Sequence, residues 1–166
     1  MRIIEYDAAA TVRYAKKWAH RRNPAYYNFD ELGGDCTAFA SQCLLAGSGV
    51  MNYTPTLGWY YISLRDRAPA WSGVEYFYNF LINNFKGVVN ETGPFGAPIT
   101  ADKVGLGDFI QLGNAQGKFY HTLVVTGFRH GEPLVSSHTV DSFDRLLSSY
   151  DYYASRTIKI VGVRTY

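Results

Sequence analysis

At 166 residues and 47% hydrophobic content the chain is long enough to bury a full core, and no proline- or serine-rich linker divides it, so a single domain over 1–166 is expected. A formal charge of +2 is too small to argue for nucleic acid, and no apolar run approaches the roughly 20 residues of a membrane span. Met1 to Glu5 meets charged residues at once and reads as no signal peptide, which leaves a protein that stays in the cytoplasm until released, or a domain of a longer secreted chain.

In chain order, Asp7 is placed to cap a helix running to about Arg22, with Ala9, Val12, Ala15 and Ala19 as its apolar stripe. The cluster Arg13, Lys16, Lys17, His20, Arg21 and Arg22 reads as the solvated face and basic end of that helix. Gly33-Gly34-Asp35-Cys36 then opens a second helix, with Asp35 as side-chain N-cap and the apolar run stopping at Gly47. A third helix follows Trp71-Ser72-Gly73 and carries Val74, Phe77, Tyr78 and Leu81 on one side. Strands dominate the rest: Asp108 to Leu112, Tyr120 to Phe128, Leu134 to Thr139 and Thr157 to Arg164, with a turn at His130-Gly131 joining the second and third. Helices first and an antiparallel sheet after is an α+β pattern.

The chemistry-bearing residue is Cys36, at the first turn of its helix. Unpaired N–H groups and the macrodipole favour a thiolate there, and a helix-start thiol falls from a pKa of about 8.5 by one to several units, with Asp35 opposing part of that field. A thiol nucleophile needs a base and a group to orient the base. His121 opens a β-branched strand, and a turn centred on His130-Gly131 sets position 121 opposite about 140, which puts His138 on the face of His121 under one register. His138 and Asp141 are therefore the two choices for the orienting group, with His138 preferred. Cys36 and Cys43 lie about 10 Å apart along one helix, beyond the roughly 7 Å a disulfide spans, so Cys43 reads as a core thiol. The histidine spacing and the lack of CxxC give no metal site, and no cofactor is expected. His20 and His130 read as solvated.

Fourteen tyrosines and ten phenylalanines exceed what a core of this size needs. Tyr26, Trp59, Tyr60, Tyr61 and Trp71 sit in glycine- or proline-marked connections and read together as the rim of a binding cleft.

The segments Asn23-Pro24-Ala25-Tyr26, Gly34-Asp35-Cys36-Thr37 with Phe39 and Ser41-Gln42-Cys43-Leu44, Gly58-Trp59-Tyr60-Tyr61, Ala70-Trp71, Gly107-Asp108-Phe109-Ile110-Gln111, Tyr120-His121 and Ser137-His138-Thr139 with Asp141 occur in an order and spacing that resembles the bacterial putative amidase domain family. In layout this family is similar to the NlpC/P60 and CHAP cysteine peptidases. Ala38 stands where the family usually carries asparagine. The resemblance implies a papain-like fold with the nucleophile helix packed on an antiparallel sheet. It also implies a cysteine amidohydrolase acting on peptide or peptidoglycan-type substrates of the bacterial cell wall. Cys36, His121 and His138 or Asp141 would be catalytic, and Tyr26, Asp35, Trp59 and Trp71 would contact substrate; Tyr27 is less favoured than Tyr26. The Cys36 backbone N–H would begin an oxyanion site. A non-catalytic binding module on the same fold, or an acyltransferase using the same thiol, is the alternative.

Overall fold

The helix that begins at Cys36 carries no charged residue and no distinct polar face, and such a helix is stable only when it is enclosed. In the computed structural model, which describes residues 1–86 and 92–166, it is α2 (Cys36–Ser48), and nearly all of its residues are buried. Helix α1 (Ala8–Trp18) lies against it, and the short α3 (Pro69–Ser72) and α4 (Val74–Phe85) complete the helical layer.

Seven strands form the sheet: β1 (Arg2–Ile4), β4 (Gly93–Ile99), β5 (Phe109–Gly113), β6 (Phe119–Arg129), β7 (Glu132–Ser137), β8 (Ser142–Leu146) and β9 (Ala154–Thr165). Their order is β1-β9-β5-β6-β7-β8, with β4 also paired to β9, and every pairing is antiparallel. Two very short strands, β2 (Tyr61–Ser63) and β3 (Asp66–Arg67), form a separate hairpin. The architecture is α+β with a curled antiparallel sheet. No helix among the described residues is long and apolar enough to cross a membrane.

Alternation along the strands divides the interior in two. Phe109, Val124 and Ile158 face the helices and join Phe39, Leu44, Trp59, Trp71, Phe77 and Leu81 in the main core. Ile110, Leu112, Leu123, Val125 and Val135 point to the other face, where Val104, Leu147 and Tyr150 cover them. Each large apolar side chain so enclosed contributes about 1.5–3 kcal/mol.

Two helix ends differ from the sequence expectation. Helix α1 stops at Trp18, four residues before Arg22, so Arg22 is not on a solvated helix face; it turns inward and its side chain is only 22% exposed. Helix α2 runs through Gly47 and is closed by Gly49, whose φ of 67° is the left-handed conformation of a C-cap. Gly47 serves packing instead. A Cβ there would strike the Thr11 hydroxyl, and would lie 2.6 Å from Tyr6 Cε2 and 2.7 Å from the Asp7 carbonyl, so glycine lets α1 and α2 close together.

Candidate active site

Gly33 and Gly34, with φ of 86° and 97°, turn the chain sharply into α2 and deliver Cys36 as its first residue. On the sheet, His121 lies near the start of β6, opposite Leu112 of β5. The two side chains line one pocket of about 280 Å³, together with Leu112, Tyr120, Thr139, Val140, Arg145, Tyr150 and Asp151. Cys36 and His121 are each 8% exposed, so both reach the pocket while sitting mostly in protein. A larger cavity of about 520 Å³ is lined by Glu5 to Ala9 and brings together no cysteine and histidine.

Burial governs the charge of both groups. It raises the Cys36 thiol above its ordinary pKa; the Thr122 N–H and the Thr37 hydroxyl and N–H oppose the rise, and the Asp35 carboxylate adds to it. The thiol lowered by its helix N-terminus, as expected from the sequence, is therefore reversed in direction. His121 is pushed down to about 4, first by burial and then by the Arg145 cation. At neutral pH the resting pair is thiol and neutral imidazole, and no hydrogen bond joins them among the described residues. The Cys36 sulfur instead lies 3.8 Å from Thr37 Oγ1, which shares a 2.9 Å hydrogen bond with Thr122 Oγ1. Gln111 Nε2 donates onward to Thr122 Oγ1 at 3.2 Å and to the Val74 carbonyl at 2.9 Å, so the Gly107–Gln111 motif acts here as bracing behind the thiol.

His138 is not brought to His121. Its Nδ1–H donates to Asp35 Oδ2 at 2.5 Å, its Nε2–H donates to the Trp18 carbonyl at 2.7 Å, and its ring stacks on Phe39 at 3.9 Å. Both ring nitrogens are thus engaged, and neither is left to orient a second imidazole. The cause is a bulge in β6. Arg129 pairs with Glu132 and Gly127 with Leu134, but the register shifts at Thr126 so that Val125 pairs with Val135 and Val124 with Ser136. Continued, that register sets position 138 opposite 122, on the helix-facing side of the sheet. A one-residue slip moves a side chain to the other face.

Asp141 is likewise held elsewhere. Its carboxylate accepts both Arg22 Nη1–H at 2.9 Å and Nη2–H at 3.0 Å, and Arg22 also bonds Asp30. Asp35 stands between the two systems, 3.5 Å from Arg22 Nε, and accepts the Phe29 N–H at 2.9 Å. It occupies the N-cap position without capping through its side chain, and at 1% exposure it has no access to substrate. Asp35, His138, Arg22 and Asp141 thus form one polar network, buried at Asp35 and His138 and partly exposed at Arg22 and Asp141, that ties the end of α1 and the β7–β8 connection to the start of α2.

Of the aromatic residues expected at a cleft rim, Trp59 and Trp71 belong to the main core, Tyr26 and Tyr61 pack against it, and Tyr60 lies instead against the exposed Tyr53. Trp59 and Trp71 are 0% exposed, and neither contacts the pocket. Their rings pack at 5.4 Å, Trp59 Nε1 donates to Ser41 Oγ, and Ser41 Oγ donates to the Trp71 carbonyl. Tyr26 stacks on Trp71 at 5.5 Å and leans on Tyr61 at 5.3 Å, away from Cys36. Indole and phenol faces of this size gain more from enclosure than from a solvated rim. The pocket residues the sequence reading missed are Arg145, Tyr150, Tyr120 and Asp151. Tyr120 is the neighbour of His121 on β6, whereas Arg145, Tyr150 and Asp151 come from a strand and a connection with weak patterning, and the register of β8 on β7 brings them to His121.

A cysteine at a helix start and a histidine on the adjoining strand, facing one pocket, are the parts of an acyl-transfer site. The chain belongs to the family described as Putative amidase domain, whose model matches residues 5–161, a description that points to amide hydrolysis in general. It is 32% identical over 152 residues to "Uncharacterized protein YhbB" of Bacillus subtilis (strain 168). The match covers 90% of this chain and 47% of that protein, so the chain spans about half the length of that relative. No solved structure matches the chain.

Proposed function

We propose that the chain is a cysteine amidohydrolase of papain-like type, akin to the NlpC/P60 and CHAP enzymes, that cuts peptide amides of the bacterial cell wall. The observation that carries this reading is the convergence of Cys36 and His121 on one pocket. The resting groups are neutral, so His121 acts as a general base. As the substrate carbonyl settles over Cys36, the Sγ–H proton passes to His121 and the sulfur attacks the carbonyl carbon. Catalytic contacts of this kind tighten only in the substrate complex. The oxyanion is received at the start of α2, where the first N–H groups have no carbonyl four residues back to bond, with the Cys36 N–H first in line. The His121 imidazolium then protonates the departing amine. Water, deprotonated by the same imidazole, cleaves the thioester and restores the thiol. His138 and Asp141 act at a distance by holding the start of α2 in place.

The test pairs labelling with turnover. Iodoacetamide should alkylate Cys36 well before Cys43, because the Cys43 thiol is wholly buried and its pKa is raised well above the usual range by that burial. Cys36→Ser and His121→Ala should each abolish hydrolysis of a cell-wall peptide while leaving the melting transition cooperative. Faster labelling at Cys43, or full turnover in either variant, sinks the assignment. Peptide binding with no turnover in the parent would return the binding-module alternative.

A further inference from the structure

We propose that Arg145 is the specificity determinant of the Cys36 pocket, and that the preferred substrate carries a free carboxylate beside the amide to be cut. This rests on the amidohydrolase reading and adds the charge of the group that enters the pocket.

Arg145 lines the pocket with Cys36 and His121, and its guanidinium is fixed before any ligand arrives. The cation lies over the Tyr150 ring at 3.8 Å, Nε–H donates to Ser149 Oγ at 2.7 Å, and Nη2–H donates to the Ser149 carbonyl at 3.0 Å. Both acceptors are neutral. Arg22 and Arg156 are neutralised by carboxylates, Asp30, Asp35 and Asp141 for the first and Glu75 for the second, and Arg67 and Arg164, which like Arg145 bond neutral acceptors, do not line this pocket. Among the described residues no carboxylate lies within ion-pair distance of Arg145. Three of its five N–H donors remain for a ligand, and a planar guanidinium is suited to receive a carboxylate through two of them.

The same cation sits close enough to His121 to oppose its protonation. A bound carboxylate would cancel that field, so the ligand that satisfies Arg145 also eases transfer of the Cys36 proton to His121. A neutral ligand would leave the base opposed. Recognition and activation are thereby coupled through one side chain. The remaining wall pairs Leu112, Val140 and the Tyr150 and Tyr120 rings, which suit the aliphatic part of such a residue, with Thr139 and the Asp151 carboxylate, which disfavours an anion placed anywhere but at Arg145.

Two alkylating probes differing only in this charge read the pocket directly. Iodoacetate and iodoacetamide each lose iodide to attack by the Cys36 sulfur, and one carries a carboxylate where the other carries a carboxamide. The iodoacetate-to-iodoacetamide rate ratio at Cys36, measured at low salt, should exceed that of free cysteine by about tenfold, the scale of one charge-assisted contact. Arg145→Gln should return the ratio to that of free cysteine, and Arg145→Lys should keep most of it. In the parent the excess should collapse at 1 M salt, where the screening length is about 3 Å, and this arm stands even if Arg145→Gln does not fold. A ratio equal to that of free cysteine, or one unchanged in Arg145→Gln, overturns the proposal. With matched peptides bearing a carboxylate or a carboxamide next to the scissile bond, Arg145→Gln should raise KM about 10- to 100-fold for the carboxylate peptide alone. Alkylation needs no amide hydrolysis, so the two readings separate. Anion preference at Cys36 without turnover of any peptide refutes the hydrolase and sustains Arg145, whereas Cys36-dependent turnover without that preference does the reverse.

Discussion

His138→Ala removes the hydrogen bond to Asp35, the hydrogen bond to the Trp18 carbonyl and the ring stacked on Phe39 in one step. Both partners are 1% exposed, and leaving the Asp35 carboxylate buried without this partner costs about 3–5 kcal/mol. Asp35 keeps the Phe29 N–H and has Arg22 Nε at 3.5 Å, which places the loss near the lower end, about 3 kcal/mol. A chain of this length unfolds with an entropy of about 0.35 kcal/mol/K, so the melting temperature should fall by about 9 °C. Calorimetry of the parent, His138→Ala, Asp35→Asn and the double variant closes a thermodynamic cycle. The double variant should cost at least 1 kcal/mol less than the sum of the singles, roughly the coupling of residues in direct contact. Iodoacetamide labelling of Cys36 should stay within a few-fold of the parent when measured well below the transition. A melting temperature held within about 2 °C together with a collapse of Cys36 reactivity would refute this reasoning and make His138 a group that orients His121.

Two further outcomes follow from single residues. His121 is pushed down to about 4 in the folded chain, and an unfolded histidine titrates near 6.5, so the unfolded state takes up the extra proton between those values. Stability is then complete above about pH 6.5 and is lost as pH falls through that window, by about 2 kcal/mol between pH 7 and 5. Urea midpoints at the two pH values should show this loss in the parent and a smaller one in His121→Asn; equal losses would mean that His121 is not held neutral. Gly47→Ala should destabilise by about 1–3 kcal/mol despite alanine's better helix propensity, because its Cβ would meet Tyr6, Asp7 and Thr11, and a raised melting temperature would show that α1 is not seated there.

The helices were legible where capping and periodicity agree. Cys36 opens α2 as read, and the His130-Gly131 turn, with φ of 50° and 80°, joins β6 to β7 as the two-residue signal requires. Strands with weak patterns were not. β4 reads Gly-Pro-Phe-Gly-Ala-Pro-Ile, and two prolines argue against a strand, yet it pairs only with β9, where edge prolines cost no ladder bond. β8 mixes Ser142, Asp144 and Arg145 with two apolar residues, and Asp144 has a positive φ of 54°, so no alternation marks it. Missing β8 meant missing Arg145.

The division of labour among the conspicuous histidines turns on Thr126. Without its bulge, the hairpin would put position 138 opposite 123, on the face of His121, and the sequence reading of His138 would follow. The bulge is held by side chains: Thr126 Oγ1 shares a 2.7 Å hydrogen bond with Ser136 Oγ and donates to Asp144 Oδ1 at 2.7 Å. Those polar contacts join three neighbouring strands, and their partners lie 10 and 18 residues away, beyond what local propensity can report. Shifted by one, His138 enters the helix-facing side, meets Asp35 and secures the turn that presents Cys36. His121 keeps the opposite face, open to the pocket and to Arg145. One inserted residue thus separates the histidine that faces the pocket from the histidine that holds the site together.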